Sequence, residues 1–304
     1  MGVVCRYERL ESLRASIFGE ILLCRDTETS EEVIVKTVDL SLALKQKSRT
    51  NEAVQENVLK EIDVLSQLCA MGGHPNVIKL RNYYVESGGK RNFLHVVLDY
   101  CEGGDLLDSC MPPSEATDEQ EANTEDQRVE EAVALGYLKD VLEGLCFLHK
   151  NGVAHRDLSL ENILLRDGRA VIADFGLCAR QEPYENALRC NEIVGKHYYM
   201  APEVVAQCQY DPMKADIWSA GISFFILLTT SPPFEMASKN DAGFRYVAKH
   251  GIKAVFKAWG LGESISSETQ DLLAQMLTVN AENRVSVEEL LSHAAFASIS
   301  PSTE

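Results

Sequence analysis

The sequence has no apolar run long enough to cross a membrane. A membrane-spanning helix needs about 18 or more consecutive apolar residues, and the longest candidate here, Ala220 to Leu228, has the length of a buried helix. Met1 to Arg6 lack the apolar core of a secretory signal and the Ser or Thr that the myristoylation pattern requires at position six. These absences predict no membrane span, and they favour an ordinary cytosolic N terminus over an acylated Gly2.

Cysteine pairs at the spacing of zinc ligands are also absent. The chain has nine cysteines, scattered at positions 5, 24, 69, 101, 110, 146, 178, 190 and 208. An odd count and long separations argue for reduced thiols and against a disulfide framework. We therefore expect no structural zinc and a cytoplasmic protein, with the nucleus as the alternative compartment.

Basic side chains are few. The 29 lysines and arginines stand against 46 aspartates and glutamates, which gives a net charge of −17. Nucleic acids and anionic membranes are polyanions, so this balance disfavours both as partners. It is compatible with a basic peptide substrate, although an acidic surface that keeps the protein in solution explains the charge equally well.

The two halves of the chain differ in pattern. Residues 6 to 101 combine β-branched runs such as Val33-Ile34-Val35 with one helical segment, about Val54 to Ala70, whose apolar residues recur every three or four positions. Residues 130 to 297 are mostly helical in pattern, including Ala132 to Lys150 and Thr269 to Leu277. A small β-rich half followed by a larger helical half predicts two lobes with a ligand cleft between them.

A polar segment separates the two halves. Met111 to Glu131 contains Pro112-Pro113, few apolar residues and eight carboxylates. Such a composition buries too little apolar surface to offset the entropy of ordering. We therefore predict a flexible acidic insertion at about 111–131.

Four motifs follow in order in the helical half. His155 to Asn162 reads HRDLSLEN, and Asp174-Phe175-Gly176 begins twelve residues after the Asn; Ala201-Pro202-Glu203 and Asp216 to Gly221 come next. One short motif arises by chance, but four in this order at these intervals resemble the protein kinase family. The resemblance extends from about Tyr7 to Phe296.

The resemblance implies an α+β, bilobal protein kinase fold in a single domain over 1–304. Its small β-rich N-lobe, with one main helix, would cover about 6–98, and the hinge about 99–104. Its larger, mostly helical C-lobe would cover about 105–297, with the acidic insertion inside it. The expected substrates are ATP with Mg²⁺ and protein serine or threonine hydroxyls.

The family's catalytic residues have counterparts here. Asp157 matches the residue that accepts the proton of the substrate hydroxyl or orients that hydroxyl, and Asn162 and Asp174 match the Mg²⁺ ligands. Lys36 and Glu61 match the ion pair whose lysine holds the ATP phosphates. The chemistry fits these residue types, because phosphoryl transfer depends on positioning and on neutralising phosphate charge.

By the resemblance, a further set of residues surrounds the nucleotide. Leu98 would lie at the back of the adenine pocket and Leu164 beneath it, although a leucine at either place is as often plain core. Asp99 and Cys101 would offer backbone groups to the base, and Asp105 a carboxylate to the ribose. The complete predicted set is Gly19, Ile21, Ile34, Lys36, Glu61, Leu98, Asp99, Cys101, Asp105 and Leu164.

The glycine-rich loop departs from the family pattern. In place of G-x-G-x-x-G the chain reads Arg14-Ala15-Ser16-Ile17-Phe18-Gly19, which keeps only the last glycine. Those glycines let backbone N–H groups approach the phosphates, so tight ATP binding is in question. Ile34 also replaces the small alanine expected above adenine, which predicts a narrower pocket.

Two further departures form a pair. The lysine expected two residues after the catalytic Asp is Ser159, and the threonine expected after Gly195 is Lys196. We interpret this as an exchange in which Lys196 reaches the γ-phosphate and Ser159 bridges to Asp157, since charge at the phosphate is a large catalytic term. The alternative is two independent losses that leave an inert protein.

The sequence also bears on regulation and specificity. Leu177 to Met200 contains no Ser or Thr, and Glu192 stands at the usual phosphothreonine position. We therefore predict that Glu192 pairs with Arg156 in place of a phosphate. Glu161 and Asp105 match acids that bind arginines upstream of the target hydroxyl, which points to basic substrates, and Arg284 is predicted to pair with Glu203.

Three functions stay open from sequence. The leading one is an active protein kinase, with serine/threonine favoured because the tyrosine-kinase loop pattern is missing. The second is a pseudokinase scaffold or allosteric partner, supported by the degenerate loop, Ile34 and Ser159. The third, a small-molecule kinase, is disfavoured by Ala201-Pro202-Glu203 and the helices after it, which form a protein-docking surface in the family. The oligomeric state is left open.

Overall fold

The computed structural model describes residues 6–89, 91–110, 128–182, 184 and 187–297. These residues form two compact units. One contains the described residues up to Glu102 together with Asp174–Leu177, and the other contains Gly103–Ala173 and the described residues from Cys178 onward. The first unit is built on a sheet, and the second is built mainly of helices.

The first unit is built on a five-stranded antiparallel sheet in the order β1-β2-β3-β5-β4. Alternate side chains of β2, β3 and β5 point to one face and form a buried cluster, to which Leu22, Val35 and Val97 belong. The strands are β1 (Tyr7–Ala15), β2 (Gly19–Asp26), β3 (Glu32–Asp39), β4 (Leu80–Gly88) and β5 (Arg91–Asp99).

The main helix of this unit is α2 (Val58–Ala70), which follows the short α1 (Leu40–Ala43). The apolar spacing predicted a start near Val54, which is wrong by four residues. The helix begins at Val58 because the Asn57 side chain caps it, accepting a hydrogen bond from the Lys60 N–H at 3.1 Å. Its buried face includes Ile62 and Leu65 and carries one carboxylate, Glu61.

The second unit is mostly helical, with two short antiparallel strand pairs, β6–β9 and β7–β8. Its longest helices are α4 (Glu131–Lys150) and α6 (Pro212–Thr229), and α6 is buried over most of its length. The predicted helices at 132–150 and 269–277 are confirmed within one or two residues. The remaining elements are α3 (Leu106–Cys110), β6 (Val153–Ala154), β7 (Ile163–Arg166), β8 (Arg169–Ile172), β9 (Ala179–Arg180), α5 (Pro202–Val205), α7 (Ala242–His250), α8 (Ile252–Ala258), α9 (Ser267–Met276) and α10 (Val287–Leu291).

The predicted class, a sheet-rich first part and a helical second part, is confirmed. Most of the predicted acidic insertion, 111–127, lies outside the described residues, and its last residue, Glu131, is the first of α4. Within the described ranges no helix is both long enough and apolar enough to span a membrane. The free thiols are those of Cys24, Cys69, Cys101, Cys146, Cys178, Cys190 and Cys208.

Candidate active site

A lysine on β3 and a glutamate on α2 form a buried ion pair. Lys36 Nζ lies 2.9 Å from Glu61 Oε1 and 3.7 Å from Asp174 Oδ1, and the Glu61 side chain is only 3% exposed. Burial lowers the pKa of Lys36, but the charges of Asp174 and Glu61 outweigh it and hold that pKa above its ordinary value. The lysine is therefore charged at neutral pH, and its predicted pairing with Glu61 is confirmed.

The same side chains line a cavity within the first unit. Its volume is about 240 Å³, and Arg14, Ile21, Lys36, Glu61 and Asp174 are among the residues that line it. Four predicted site residues therefore share one cavity with Arg14, which replaces the first glycine of the loop pattern. Two cations on this wall suit an anionic ligand, and the carboxylates suit a bound cation.

The last glycine of the loop is held by the sheet. A Cβ placed on Gly19 would lie 1.9 Å from the carbonyl oxygen of Thr37 on β3. The backbone of the hairpin also closes on itself, since the Ser16 N–H donates to the Gly19 carbonyl at 2.9 Å. Gly19 thus has a packing requirement that the motif analysis missed, and the G-x-G-x-x-G comparison alone could not reveal it.

Other predicted nucleotide contacts lie at the end of the sheet. Ile34 and Leu98 are register partners on β3 and β5, and Leu98 is buried. The Asp99 N–H donates to the Lys79 carbonyl at 3.1 Å, and the Asp99 carboxylate accepts a hydrogen bond from Arg81. Cys101 is buried. The Asp99 N–H is therefore already used by the protein.

Two predicted nucleotide residues of the second unit lie side by side. Asp105 and Leu164 form an isolated antiparallel bridge. The Asp105 carboxylate accepts a hydrogen bond from the Asp108 N–H at 2.9 Å, at the start of α3. Asp105 thus has a local structural role that sequence reasoning missed, although an acid just before a helix is an ordinary capping signal.

A buried aspartate on α6 holds the HRD segment. The carboxylate of Asp216, which is 1% exposed, accepts hydrogen bonds from the N–H groups of His155 at 2.8 Å and Arg156 at 2.7 Å. Arg156 has a φ of 68°, an unfavourable backbone conformation for a residue other than glycine. The two bonds stabilise this turn and so determine where Asp157 lies.

Asp157 and Asn162 are linked directly. Asn162 Nδ2 donates to the Asp157 carbonyl at 2.7 Å and to Asp157 Oδ2 at 2.8 Å. Because the amide nitrogen makes these two bonds, Asn162 Oδ1 is the atom suited to coordinate a cation. In the first unit, Asp174 is 39% exposed. The amide and carboxylate oxygens are hard donors of the kind Mg²⁺ prefers, so the residue types fit that ion.

The two exchanged positions are in contact. Lys196 Nζ donates to Ser159 Oγ at 2.7 Å and lies 3.1 Å from Glu161 Oε1. Gly195 allows the chain before Lys196 to lie close to Arg156. It has a φ of 95°, and a Cβ there would lie 2.9 Å from the Arg156 carbonyl oxygen. The predicted proximity of positions 159 and 196 is confirmed. The Glu161–Lys196 ion pair was not predicted.

Arg156 contacts two residues of the activation segment, the stretch of chain between Leu177 and Met200. Its Nη1 donates to Glu192 Oε2 at 3.3 Å and to Cys190 Sγ at 3.1 Å, and its side chain is 9% exposed. The backbone N–H of Glu192 and the charge of Arg156 hold the pKa of Glu192 below its ordinary value. The predicted contact between Glu192 and Arg156 is confirmed, with a charged carboxylate at neutral pH.

The glutamate of the Ala-Pro-Glu motif, Glu203, is held by a buried arginine. Arg284 Nη1 and Nη2 donate to the two Glu203 oxygens at 2.7 and 3.1 Å, and the Arg284 side chain has no solvent exposure. Arg284 also donates to the carbonyl oxygens of Lys214 and Thr278 and lies over the Trp218 ring. The predicted Glu203–Arg284 pair is confirmed.

The fold and these contacts agree with the comparison to known families. The family described as "Protein kinase domain" matches residues 7–296, and the chain belongs to it. It is similar to calcium-dependent protein kinase 14 of Arabidopsis thaliana, with 32% identity over 296 residues, which are 95% of this chain and 48% of that protein. It is also similar to calcium-dependent protein kinase 20 of Oryza sativa subsp. japonica, with 33% identity over 299 residues, 96% of this chain and 47% of that protein. The chain thus spans about half the length of the curated relatives it matches.

Proposed function

We propose that this chain is an active protein serine/threonine kinase that uses ATP and Mg²⁺. The observation that carries the proposal is that the charged groups needed for phosphoryl transfer are present and contact their expected partners. Lys36 pairs with the buried Glu61 in one unit, and Asn162 orients Asp157 in the other. A chain relieved of catalysis has no physical reason to retain both arrangements.

In the proposed reaction, the substrate hydroxyl oxygen forms a bond to the γ-phosphorus. The bond from that phosphorus to the β–γ bridging oxygen breaks, and its electron pair leaves with ADP. The hydroxyl proton passes to the Asp157 carboxylate. Mg²⁺ would neutralise phosphate charge, with Asn162 and Asp174 as its protein ligands.

The remaining roles in nucleotide binding follow from family membership. Lys36 would hold the phosphates, Leu98 and Leu164 would bound the adenine, and Asp105 would bind the ribose. Gly19, Ile21, Ile34, Asp99 and Cys101 complete the proposed set. Since the Asp99 N–H donates to Lys79, we assign the contribution of Asp99 to its carbonyl oxygen.

Lys196 is proposed to act as the catalytic cation in the exchanged arrangement. The Lys196 side chain is 38% exposed, and its ammonium group donates to the hydroxyl of Ser159, two residues from Asp157. A positive charge at this place would stabilise charge that develops on the transferring phosphoryl group. The bridge from Ser159 to Asp157 stays a prediction.

Glu192 is proposed to keep the activation segment ordered without phosphorylation. A phosphate would carry more charge and more acceptor oxygens than a carboxylate, so Glu192 is a weaker partner for Arg156. The contact nevertheless needs no modifying enzyme. The proposed substrates are proteins, and a cytoplasmic location stays a prediction.

The test is phosphate incorporation into a serine/threonine peptide library, measured by mass spectrometry with Mg-ATP. The control is Asp157→Asn, which keeps the side chain's size and removes its charge. Transfer by the wild type that disappears in the control supports the kinase. Folded wild-type protein that transfers nothing contradicts it and favours the scaffold, and transfer to a metabolite but to no peptide favours the small-molecule kinase.

A further inference from the structure

Glu161 lies where the sequence predicted a binding site for a substrate arginine, but one of its oxygens faces Lys196 and the other is buried. Oε1 is 3.1 Å from Lys196 Nζ. Oε2 is buried within the protein. A substrate guanidinium would therefore meet a carboxylate whose accessible oxygen already faces an ammonium group.

We propose that Glu161 is a positioning residue for Lys196 and that it is not a subsite for a basic substrate residue. The inference rests on the proposed kinase function and assigns Glu161 a role within the same site. Of the two acids from which basic substrates were predicted, Glu161 and Asp105, only Asp105 then keeps that predicted role.

The geometry explains why Lys196 needs such a partner. A lysine side chain has four rotatable bonds and loses rotamer entropy when it is held in place. Ser159 Oγ at 2.7 Å and Glu161 Oε1 at 3.1 Å restrain its ammonium group from two sides. Ser159 is fully buried, so its hydroxyl is a fixed point.

The neighbouring Tyr199 hydroxyl also interacts with the Glu161 carboxylate, but as a neutral group. Tyr199 is buried beside the pair, and burial, followed by the Glu161 charge, raises its pKa well above the ordinary value. The phenol is therefore neutral at physiological pH. The negative charge of Glu161 is thus directed at Lys196, and the pair adds little net charge with which to attract a second cation.

The kinetic test compares Glu161→Gln, Lys196→Met and the double variant, with Glu182→Gln, at a side chain that is 59% exposed, as the control. We expect Glu161→Gln to lower kcat about three- to tenfold, because the ammonium group loses one of its two restraints. The KM for an arginine-containing peptide should change less than about twofold. In the Lys196→Met background, Glu161→Gln should have no further effect on kcat, since the two residues act as one unit. Glu161→Asp, which keeps the charge on a shorter side chain, should give an intermediate kcat.

A second readout needs no nucleotide. In protein labelled with ¹⁵N-lysine, the ammonium group of Lys196 should give a hydrogen-exchange-protected signal, identified by its loss in Lys196→Met. Glu161→Gln should remove that protection while other lysine signals persist. Retained protection would overturn the proposed pairing.

The opposing kinetic outcome is equally specific. If Glu161→Gln leaves kcat unchanged and raises the KM for arginine-containing peptides tenfold, Glu161 binds substrate and the positioning role is wrong, although the kinase function stands. If the wild type transfers no phosphate in the peptide-library experiment, the kinase function and this role are both wrong.

Discussion

Lys36 is the nearest cation to a glutamate that has almost no access to water. The two charged atoms are 2.9 Å apart, and the side chains are 17% and 3% exposed. A carboxylate buried to this degree is stable only while its partner is present. The pair therefore contributes to the stability of the first unit as well as to the proposed binding of phosphate.

The first prediction separates these two contributions. Lys36→Met should lower the free energy of unfolding by about 3 kcal/mol, because it leaves the Glu61 charge buried without its lysine. Adding Glu61→Gln should restore part of that stability and no phosphate transfer. Urea denaturation followed by circular dichroism measures the first effect and the peptide assay the second. Lys60→Met, on the exposed face of α2, is the matched control, and an equal stability of the two lysine variants would contradict the prediction.

The second prediction concerns Gly19. Gly19→Ala should destabilise the nucleotide-free protein by about 1–3 kcal/mol, because β2 and β3 must separate to make room for the added methyl group beside Thr37. The control is Gly136→Ala on α4, where a Cβ meets nothing within 4 Å. That variant should be neutral or more stable by up to about 1 kcal/mol. Thermal unfolding without nucleotide measures both, and an unchanged Tm for Gly19→Ala would show that the close approach is absent.

The third prediction tests Glu192. Glu192→Ala should lower kcat about two- to fivefold, the range of a largely exposed ion pair, since the Glu192 side chain is 55% exposed. Glu182→Ala on the same segment should leave kcat unchanged. The wild type should be active in the peptide assay while intact-mass spectrometry finds no phosphate on the protein, and hence none on residues 177 to 200. Full activity of Glu192→Ala would remove the proposed role.

The fourth prediction concerns the anchor under the Ala-Pro-Glu motif. Glu203→Ala should lower the free energy of unfolding by about 3–5 kcal/mol, because Arg284 has no exposure and would keep an unbalanced charge. Glu203→Gln should cost less, since its amide oxygen still accepts a hydrogen bond. Glu282→Ala, on an exposed neighbouring glutamate, is the control. A cost below about 1 kcal/mol for Glu203→Ala would mean that water reaches the arginine.

The fifth prediction is a pH dependence. Hydrogen bonds from Lys253, then Gln275 and then His293, lower the pKa of Asp271 from 3.8 to about 2. A pKa lowered in the folded state stabilises the protein above the unfolded value, and that stability is lost as the pH falls from about 3.8 to about 2. Since Asp271 is 48% exposed, Asp271→Asn should cost no more than about 1 kcal/mol at pH 6.

The measurement is unfolding free energy against pH. The difference between Asp271→Asn and the wild type should shrink toward zero near pH 2. Glu263→Gln, an exposed acid in the preceding turn, should show no such trend. A constant difference across the range would contradict the lowered pKa.

The parts predicted well from the sequence are those with a strong local pattern. The β-branched runs and the helices near 132–150 and 269–277 were confirmed, because apolar periodicity reports directly which face is buried. The predicted start of α2 was wrong because the Asn57 side chain caps the helix, which therefore begins at Val58. Contacts between distant residues, such as Glu203–Arg284, were predicted only through the family resemblance.

Two features of the site were beyond sequence reasoning. The contact of Gly19 with Thr37 depends on how closely two strands approach, and no residue pattern encodes that distance. The pairing of Glu161 with Lys196 arises from a departure at position 196, which changes the partner available to a residue 35 positions earlier. Family correspondence assigns a role to each position separately, so a change at one place does not reveal its effect on another.

The carboxylate that faces Arg156 has a further consequence for the cell. A phosphate ester is added by one enzyme and hydrolysed by another, so its occupancy follows the balance of the two. Glu192 belongs to the polypeptide, and a phosphatase has no bond there to cleave. An enzyme held active in this way cannot be switched off by dephosphorylation at this position. Its kinase activity would then be set by synthesis, degradation and binding partners.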